Sequence, residues 1–352
     1  MPFLTDMYHE QNRARTGSTE TTTTENTAKA AEFDPDRLRA LLRERILGQD
    51  EAIETVVRAI VLAKAGAVDP DRPLANLLLV GPTGVGKTEL VRTVAAQLRS
   101  GPDDLCRVDM NALAQEHYAA SFSGAPPGYA GSKEAYSVFD RDTVQGDPYR
   151  PGIVLFDEVE KAHPTVLRAL LQVLDSGILK LASGQERISF RNTLVFLTSN
   201  LGSAEIARIQ GIPWRRGVDR LLRRGRRPVI DAALREFFDP EFVNRIDDTV
   251  HFAELGKDTA RGIVSLEVAL LRKRLLRKQV HLEVSEDVLA FLAERGFDPV
   301  YGARALRRTM RTQLTAAIAE EIVRHGPDGG AALHLTASAP DGAVRVSGQR
   351  TE

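Results

Sequence analysis

The sequence feature that most constrains the fold is a glycine-rich loop near residue 85. The pattern G-x-x-x-x-G-K-[ST] of a phosphate-binding loop is matched by Gly81, Pro82, Thr83, Gly84, Val85, Gly86, Lys87 and Thr88. An apolar run at 77–80 precedes the loop and a helical pattern at 89–98 follows it. A buried strand, a glycine turn and a helix N-terminus in this order form an anion site, because backbone N–H groups and the helix dipole favour phosphate. The loop therefore predicts a nucleotide site on a parallel sheet.

Further apolar runs predict the rest of that sheet. Residues 153–156 and 194–197 resemble 77–80, with helical or loop-like sequence between them. Alternating strands and helices predict an α/β domain in three α-β-α layers. After about residue 252, helical patterns at 258–278, 286–295 and 303–325 mix with short strand patterns at 280–284, 332–336 and 344–346. We expect a polar, disordered tail at 1–32, a large domain at 33–253 and a small, mostly helical α+β domain at 254–348.

Composition excludes several classes of protein. The formal net charge is -1, so no global field attracts nucleic acid or a membrane surface. The single cysteine, Cys106, rules out an internal disulfide framework and fits a reducing compartment. No apolar stretch approaches the roughly 20 residues needed to span a bilayer, and the N-terminus lacks the features of a secretion signal. We expect a cytoplasmic protein with no membrane partner.

Polar residues end two of the predicted strands. The run at 153–156 leads directly into Asp157 and Glu158, and the run at 194–197 leads to Asn200. We expect Asp157 and the Thr88 hydroxyl to hold Mg²⁺, Lys87 to reach the β- and γ-phosphates of ATP, and Glu158 to polarise the attacking water. The alternative for Asp157 and Glu158 is a strand that simply ends in a solvated loop. The alternative for Asn200 is an asparagine that forms a turn.

The order of these motifs resembles the Clp AAA+ unfoldases, above all the second ATPase module of ClpB, ClpA and ClpC. The likeness runs from about residue 36 to 348, and several blocks are specific to Clp proteins. Besides the phosphate loop, the blocks are Ile-Leu-Gly-Gln at 46–49, Gly-Ala-Pro-Pro-Gly-Tyr at 124–129, Phe-Asp-Glu-Val-Glu-Lys-Ala-His-Pro at 156–164, Leu-Leu-Gln-Val-Leu-Asp at 170–175, Thr-Ser-Asn-Leu-Gly-Ser at 198–203, Pro-Glu-Phe-Val-Asn-Arg-Ile-Asp at 240–247 and Tyr-Gly-Ala-Arg at 301–304. The resemblance implies ATP hydrolysis in a hexameric ring that acts on unfolded or aggregated protein.

The resemblance also implies roles for individual residues. Ile46 and Leu47 lie where the family seats adenine, and Asn200 matches the first sensor. Arg304 matches the second sensor, which reaches the γ-phosphate within one subunit. Arg245 matches the arginine finger, which acts on ATP held by the neighbouring subunit. The alternatives are a salt bridge of Arg245 with Asp247 or Asp248, and a solvated Arg304 in an arginine-rich helix.

A loop with an aromatic residue predicts the substrate contact. Residues 124–131 read Gly-Ala-Pro-Pro-Gly-Tyr-Ala-Gly, which forms neither a helix nor a central strand. In Clp proteins a similar Gly-Tyr-Val-Gly lines the central pore, where its tyrosine grips the threaded chain. The matching residues are Gly128, Tyr129, Ala130 and Gly131. The alternative is a Tyr129 that packs on its own domain. A second pore loop is expected at 181–187.

Three departures from the family pattern limit the resemblance. The chain matches one ATPase module, so adaptors or other partners would select substrates. Residues 136–152 form an insertion that we expect to be solvated. Gln210-Gly211-Ile212 does not support docking to the ClpP peptidase, because the expected first residue is hydrophobic.

The arginine-rich segment 211–227, which includes Trp214, is expected to be a solvated loop. It is also the one feature that favours an AAA+ ATPase acting on nucleic acid, the alternative function.

Overall fold

The computed structural model describes residues 33–115, 122, 138–147, 149–181, 187–202, 219–298, 301–325 and 332–350, with the backbone alone at 219–226. Ten strands lie in these ranges. They are β1 Ala75–Val80, β2 Cys106–Asp109, β3 Gly152–Asp157, β4 Ile178–Lys180, β5 Arg187–Ser189, β6 Thr193–Ser199, β7 Asp248–His251, β8 Val280–Val284, β9 Leu333–Ser338 and β10 Arg345–Arg350.

Eleven α-helices accompany the strands in the same described ranges. They are α1 Pro35–Arg45, α2 Asp50–Lys64, α3 Lys87–Leu98, α4 Arg141–Gln145, α5 Pro164–Ser176, α6 Asp219–Phe237, α7 Pro240–Val243, α8 Lys257–Leu276, α9 Glu286–Gly296, α10 Ala303–Met310 and α11 Ala316–His325. Local chemistry fixes their ends. Asp34 caps α1, since its Oδ1 accepts from the N–H groups of Asp36 and Arg37. Gly177 ends α5 in the left-handed conformation.

The first sheet is parallel, with strand order β2-β3-β6-β1-β7. Every residue of β1 and of β6 is buried. Buried runs of this kind mean that both faces of the sheet are covered. On one face, β3 and β6 pack against apolar side chains of α5. The helix α3 lies alongside β3 and β6. The predicted α/β architecture with a parallel sheet is therefore confirmed.

The C-terminal part of the chain builds a second core. Here β8 and β9 pair in parallel, and β10 pairs antiparallel with β9. The helices α8, α9 and α10 bury apolar side chains against one face of this sheet. The strand β8 alternates buried and exposed residues as far as Glu283, so one face of the sheet meets solvent. This is the predicted small α+β unit, and the boundary at 253 stays a prediction.

The segment 136–152 corrects one expectation. Its charged residues Asp140, Arg141 and Asp142 are exposed as predicted. The segment is not simply a solvated insertion, however, because Phe139 and Val144 are buried in the main core. Phe139 packs edge-on against Phe190, with ring centroids 5.5 Å apart. The apolar pair thus makes this segment part of the fold.

Two further results concern the predictions made from the composition of the chain. Cys106 is buried, as predicted, and burial raises the pKa of its thiol to about 11. Within the described ranges, no helix has both the length and the hydropathy that crossing a bilayer requires. The predicted tail at 1–32 lies outside the described residues.

Candidate active site

A cleft of about 240 Å³ opens at the carboxyl edge of the parallel sheet. Its lining brings together the loop from Thr83 to Thr88, the ends of β3 and β6, and the start of α10. Ile46 and Leu47, which follow α1, complete the wall. Most predicted nucleotide-site residues therefore share one cavity. Those that line it are Ile46, Leu47, Thr83, Gly84, Val85, Gly86, Lys87, Thr88, Asp157, Glu158, Asn200 and Arg304.

Glycine is required at two positions of the phosphate loop. Gly81 has φ 144° and Gly84 has φ 75°, in the region that side chains disfavour. A Cβ on Gly81 would lie 2.7 Å from the carbonyl oxygen of Phe252. A Cβ on Gly84 would lie 2.4 Å from the carbonyl oxygen of Tyr301. The loop thus follows a path that only glycine allows, and it leads directly into the N-terminus of α3.

Lys87 lies inside this loop. Its Nζ donates to the carbonyl oxygens of Gly81 at 2.6 Å and Pro82 at 2.9 Å, and to Oδ1 of Asn200 at 2.8 Å. Burial lowers the pKa of Lys87 to about 8, against the opposing pull of the carboxylates of Glu160 and Asp157. Three oxygen partners hold the ammonium at the end of the cleft where a phosphate would contact it.

Asp157 at the end of β3 is held from two sides. Its Oδ1 accepts from the hydroxyl of Thr198 at 2.6 Å, and its Oδ2 accepts from the Arg107 guanidinium at 2.5 Å. The Asp157 side chain is 15% exposed and that of Arg107 is 57% exposed. Asp157 is therefore an oriented carboxylate that faces the cleft, with Thr88 also in the lining.

Glu158 has an unusual backbone, with φ 59° and ψ 55°. This is the left-handed region, which residues other than glycine, asparagine and aspartate enter rarely. Its N–H donates to Oγ1 of Thr198 at 2.9 Å, and its Oε1 accepts from Nδ2 of Asn200 at 3.3 Å. The Asn200 N–H in turn donates to Oε1 of Glu160 at 3.1 Å. One hydrogen-bond chain thus links Lys87, Asn200 and Glu158.

The start of α10 closes the cleft from the C-terminal unit. The Ala303 N–H donates to the carbonyl oxygen of Gly84 at 3.0 Å. Arg304 follows it, exposed and in the lining, close enough for its charge to help lower the pKa of Lys87. At the opposite wall, Cγ2 of the buried Ile46 would lie 3.4 Å from a Cβ on Gly86. A cation and an apolar wall therefore face each other across the loop.

Arg245 does not line this cleft. Its Nε lies 2.7 Å from Oδ1 of Asp175, and its carbonyl oxygen accepts from Nδ2 of Asn76 at 3.0 Å. Asn76 is at the start of β1, whereas the phosphate loop follows its end. At about 3.3 Å per residue, the strand separates Arg245 from its own loop by roughly 17 Å.

The expected alternative partners of Arg245 are wrong. Asp247 pairs with Arg72 and Asp248 pairs with Arg58, at 3.2 and 3.3 Å.

Family comparisons agree with this geometry. Residues 72–249 match the family model of the AAA domain (Cdc48 subfamily), and residues 255–334 match that of the C-terminal, D2-small domain of ClpB protein. An ATP-dependent protease ATP-binding subunit-like protein of Rhodococcus erythropolis is 56% identical over 351 residues, covering 98% of this chain and 99% of that protein. The chain belongs to the Clp family of AAA+ ATPases. It is an ATP-hydrolysing enzyme.

Two larger relatives place this Clp-type chain within the family. The chaperone protein ClpB of Meiothermus ruber is 41% identical over 312 residues, which cover 88% of this chain and 35% of ClpB. Among solved structures, the closed-state cryo-EM reconstruction of Hsp104:ATPyS and FITC casein has a TM-score of 0.77 at 30% identity, covering 92% of this chain and 53% of that one. The chain thus corresponds to one ATPase module, like the second module of ClpB.

Several predicted segments lie outside the described residues. These are the pore-loop residues Gly128, Tyr129, Ala130 and Gly131, most of the second loop at 181–187, and the segment 203–218 with Trp214 and the residues compared with a ClpP-docking tripeptide. The expectation that the arginine-rich segment is a loop as far as 227 is wrong from Asp219 onward, where α6 begins. Arg227 forms an ion pair with Glu51.

Three residues of the Clp-type site were missed from the sequence. Thr198 and Arg107 contact Asp157, and Glu160 contacts the Asn200 backbone. Strand alternation offered a signal for Thr198, because residues two apart on a strand share a face. Thr198 therefore shares a face with Asn200. Arg107 gave no such signal, since an exposed arginine on an edge strand is ordinary.

Proposed function

We propose that this chain is an ATP-driven protein unfoldase or remodelling chaperone of the cytoplasm, working as a hexameric ring. The observation that carries the ATP-driven part of the proposal is the hydrogen-bond chain from Lys87 through Asn200 to Glu158 in one cleft. Such a chain places a phosphate-binding cation and a candidate base on either side of one amide. The family supplies the ATPase, while ring size and substrate are parts of the proposal.

The cleft fits ATP with Mg²⁺. Backbone turns at glycine and the start of α3 suit phosphate groups, and Ile46 and Leu47 suit the adenine ring. Thr88 and Asp157 supply the oxygen ligands that Mg²⁺ prefers. Bound there, the ion would neutralise charge on the β- and γ-phosphates. Lys87 and Arg304 would contact the phosphates from the loop and from α10.

In the proposed reaction Glu158 is the general base. Its carboxylate takes a proton from water as the water oxygen bonds to the γ-phosphorus. The bond between that phosphorus and the bridging oxygen breaks, and the electron pair leaves on ADP. Asn200 keeps the Glu158 carboxylate in place through Nδ2. Lys87 stabilises the negative charge that spreads over the phosphate oxygens.

The position of Arg245 supports a ring. Its carbonyl oxygen is bonded to Asn76 at the start of β1, away from the phosphate loop of its own chain, and its guanidinium pairs with Asp175. A neighbour docked edge to edge would bring this guanidinium to a second cleft. An arginine supplied in this way raises phosphoryl-transfer rates by about 10³–10⁵-fold. We propose that each site is completed by the adjacent subunit.

The proposed substrate is unfolded or aggregated protein. The matched reconstruction of Hsp104 includes FITC casein, and the aromatic loop at 128–131 resembles the pore loop of Clp proteins. We propose that Tyr129 grips the chain, flanked by Gly128, Ala130 and Gly131. The Rhodococcus relative is named for an ATP-dependent protease. A variant of the proposed function is therefore a ring that binds a peptidase. Residues 210–212 do not favour ClpP, so we propose a free-standing ring with possible adaptors.

The decisive measurement is the ratio of ATPase rates with and without casein. We expect casein to stimulate the parent chain and Tyr129→Ala to remove the stimulation. A matched control is Tyr149→Ala, which deletes a tyrosine that is 76% exposed and lies outside the loop. Tyr149→Ala should keep the parental ratio.

The opposite result would reject threading. If casein has no effect on the parent, or if both tyrosine variants keep the stimulation, Tyr129 does not grip substrate. Stimulation by single- or double-stranded DNA in place of casein would favour the nucleic-acid alternative.

A further inference from the structure

Thr198 occupies the junction between the two strands that carry the acidic and amide residues. It is the sixth residue of β6 and is 1% exposed. The preceding residue, Leu197, pairs with Phe156 of β3. Thr198 therefore lies beside the point where β3 ends and the chain turns at Asp157 and Glu158. A buried hydroxyl in this position needs hydrogen-bond partners.

The Thr198 hydroxyl is used in both directions. It donates to Oδ1 of Asp157 at 2.6 Å and accepts the N–H of Glu158 at 2.9 Å. A hydroxyl can do both because it carries one donor and two acceptor lone pairs. A valine of the same shape could do neither. The two bonds fix consecutive residues, one through its carboxylate and the other through its backbone.

The backbone of Glu158 gives the second bond its importance. A glutamate at φ 59° persists only where surrounding contacts determine the conformation. Three hydrogen bonds hold Glu158 here, one of them from the Lys161 N–H to the Glu158 carbonyl oxygen at 2.9 Å. Thr198 fixes its N–H, and Asn200 contacts its carboxylate at 3.3 Å. Release of the N–H would let the residue relax toward an ordinary conformation and swing the carboxylate away from its present direction.

We propose that Thr198 is a positioning residue for ATP hydrolysis, holding Glu158 in the left-handed conformation that directs its carboxylate at the attacking water. The inference rests on the proposed role of Glu158 as the base. It does not depend on threading or on the nature of the substrate. Asp157 keeps its second clamp, Arg107 at 2.5 Å, so the effect should fall on the base and not on the metal ligand.

The test compares Thr198→Val with Thr198→Ser. A displacement of about 1 Å at a reacting group costs on the order of 10²-fold in rate, so Thr198→Val should lower kcat by about 10- to 100-fold. The KM for ATP and the Mg²⁺ dependence of binding to a fluorescent ADP should stay near parental values. Thr198→Ser keeps the hydroxyl and should recover most of the parental kcat.

Thr193→Val is the control for lost stability. Thr193 is buried on the same strand, and its hydroxyl donates to the carbonyl oxygen of Val144 at 2.6 Å, far from the cleft. Thermal unfolding should show a similar loss of Tm in Thr193→Val and Thr198→Val, and only the latter should lose kcat. Equal kcat in Thr198→Val and the parent overturns the inference. So does a shifted Mg²⁺ midpoint, which would place the effect on Asp157.

The variant Glu158→Gln separates this inference from its premise. If Glu158→Gln hydrolyses ATP at the parental rate, the proposed base is wrong and the proposed mechanism fails. If Glu158→Gln is inactive while Thr198→Val is fully active, the base stands and only the role of Thr198 fails.

Discussion

Lys87 shows how a single residue sets the chemistry of the cleft. Its ammonium is buried among two backbone carbonyl oxygens and the Asn200 amide. Burial disfavours the charged form, which brings the pKa from 10.5 down to about 8. A bound phosphate favours the charged form, so the pKa of Lys87 in the complex must be higher than in the free protein. Nucleotide binding is therefore coupled to protonation.

The coupling predicts weaker ADP binding at alkaline pH. Below about pH 8 Lys87 already carries its proton; above that, binding must restore the proton, so Kd should rise by up to about tenfold per pH unit. The nucleotide phosphates are fully ionised in this range. Calorimetry in buffers of different ionisation enthalpy would report proton uptake. The variant Lys87→Arg, which stays charged, should bind with a Kd that is weaker but independent of pH. A flat Kd in the parent contradicts the prediction.

The predicted site residues that the structure brings together are those whose assignment depended on a fixed spacing. Lys87, Asp157, Glu158 and Asn200 were assigned to one site from motif and strand ends, and they lie in one cleft. Arg107 could not be assigned, because its partner Asp157 lies 50 residues away on another strand. Pairings of this kind depend on strand order, which a motif does not encode.

The element of greatest consequence for the site is α10. Its N-cap is Gly302, with φ 54° and ψ -136°, which only glycine adopts readily. A Cβ on Gly302 would lie 2.9 Å from the carbonyl oxygen of Gly84. The Ala303 N–H donates to that same oxygen. The two glycines therefore let α10 contact the phosphate loop backbone to backbone, and this contact sets where Arg304 enters the cleft.

Gly302→Ala should lower ATP hydrolysis by displacing α10. The new Cβ would strain the backbone and push against Gly84, which moves Arg304 away from the position proposed for the phosphates. We expect a loss in kcat of about tenfold or more. The control is Gly342→Ala, which has φ 69° and nothing within 4 Å of the added Cβ. It also places an alanine at a positive φ but adds no contact, so it should keep kcat. Steady-state kinetics of both variants, with Tm as a check on folding, decide the matter. Equal losses would show a general effect of strain.

Elements were predictable where sequence periodicity was strong. The apolar runs gave β1, β3 and β6, and the helical patterns gave α1, α2, α8 and α9. The edge strands β2 and β7 have four residues each, with polar positions, so they produced no run. Residues 138–147 were misread because their charges outnumber their two buried side chains. Tertiary packing of Phe139 and Val144 decided the structure there.

At the scale of the whole molecule, the two edges of the parallel sheet carry different groups of the proposed active site. Lys87 and Glu158 lie at its carboxyl edge, and Arg245 is fixed at the amino edge by Asn76 and by Asp175 on α5. A head-to-tail ring would bring these edges together, since the same pair of unlike surfaces repeats around a closed ring. A lone subunit would then lack one member of its own site.

Mixing two inactive variants tests this arrangement. Arg245→Ala keeps Glu158 but offers no arginine to its neighbour, whereas Glu158→Gln keeps Arg245. If Arg245 acts across the interface, an equal mixture forms complete sites wherever an Arg245→Ala subunit receives its arginine from a Glu158→Gln neighbour. Random assembly makes this about one quarter of all interfaces, so the mixture should recover about a quarter of the parental rate.

The matched control mixes Lys87→Ala with Glu158→Gln. Both substitutions damage the cleft of their own chain, so no arrangement of neighbours restores a complete site, and this mixture should stay inactive. Mass photometry should show that every mixture forms the same oligomers as the parent. Recovery in both mixtures would mean that Lys87 or Glu158 also acts across the interface, which would contradict the proposed site. If the first mixture shows no recovery while its rings are intact, Arg245 acts in its own chain or in no active site. The proposal that the adjacent subunit completes each active site would then be wrong.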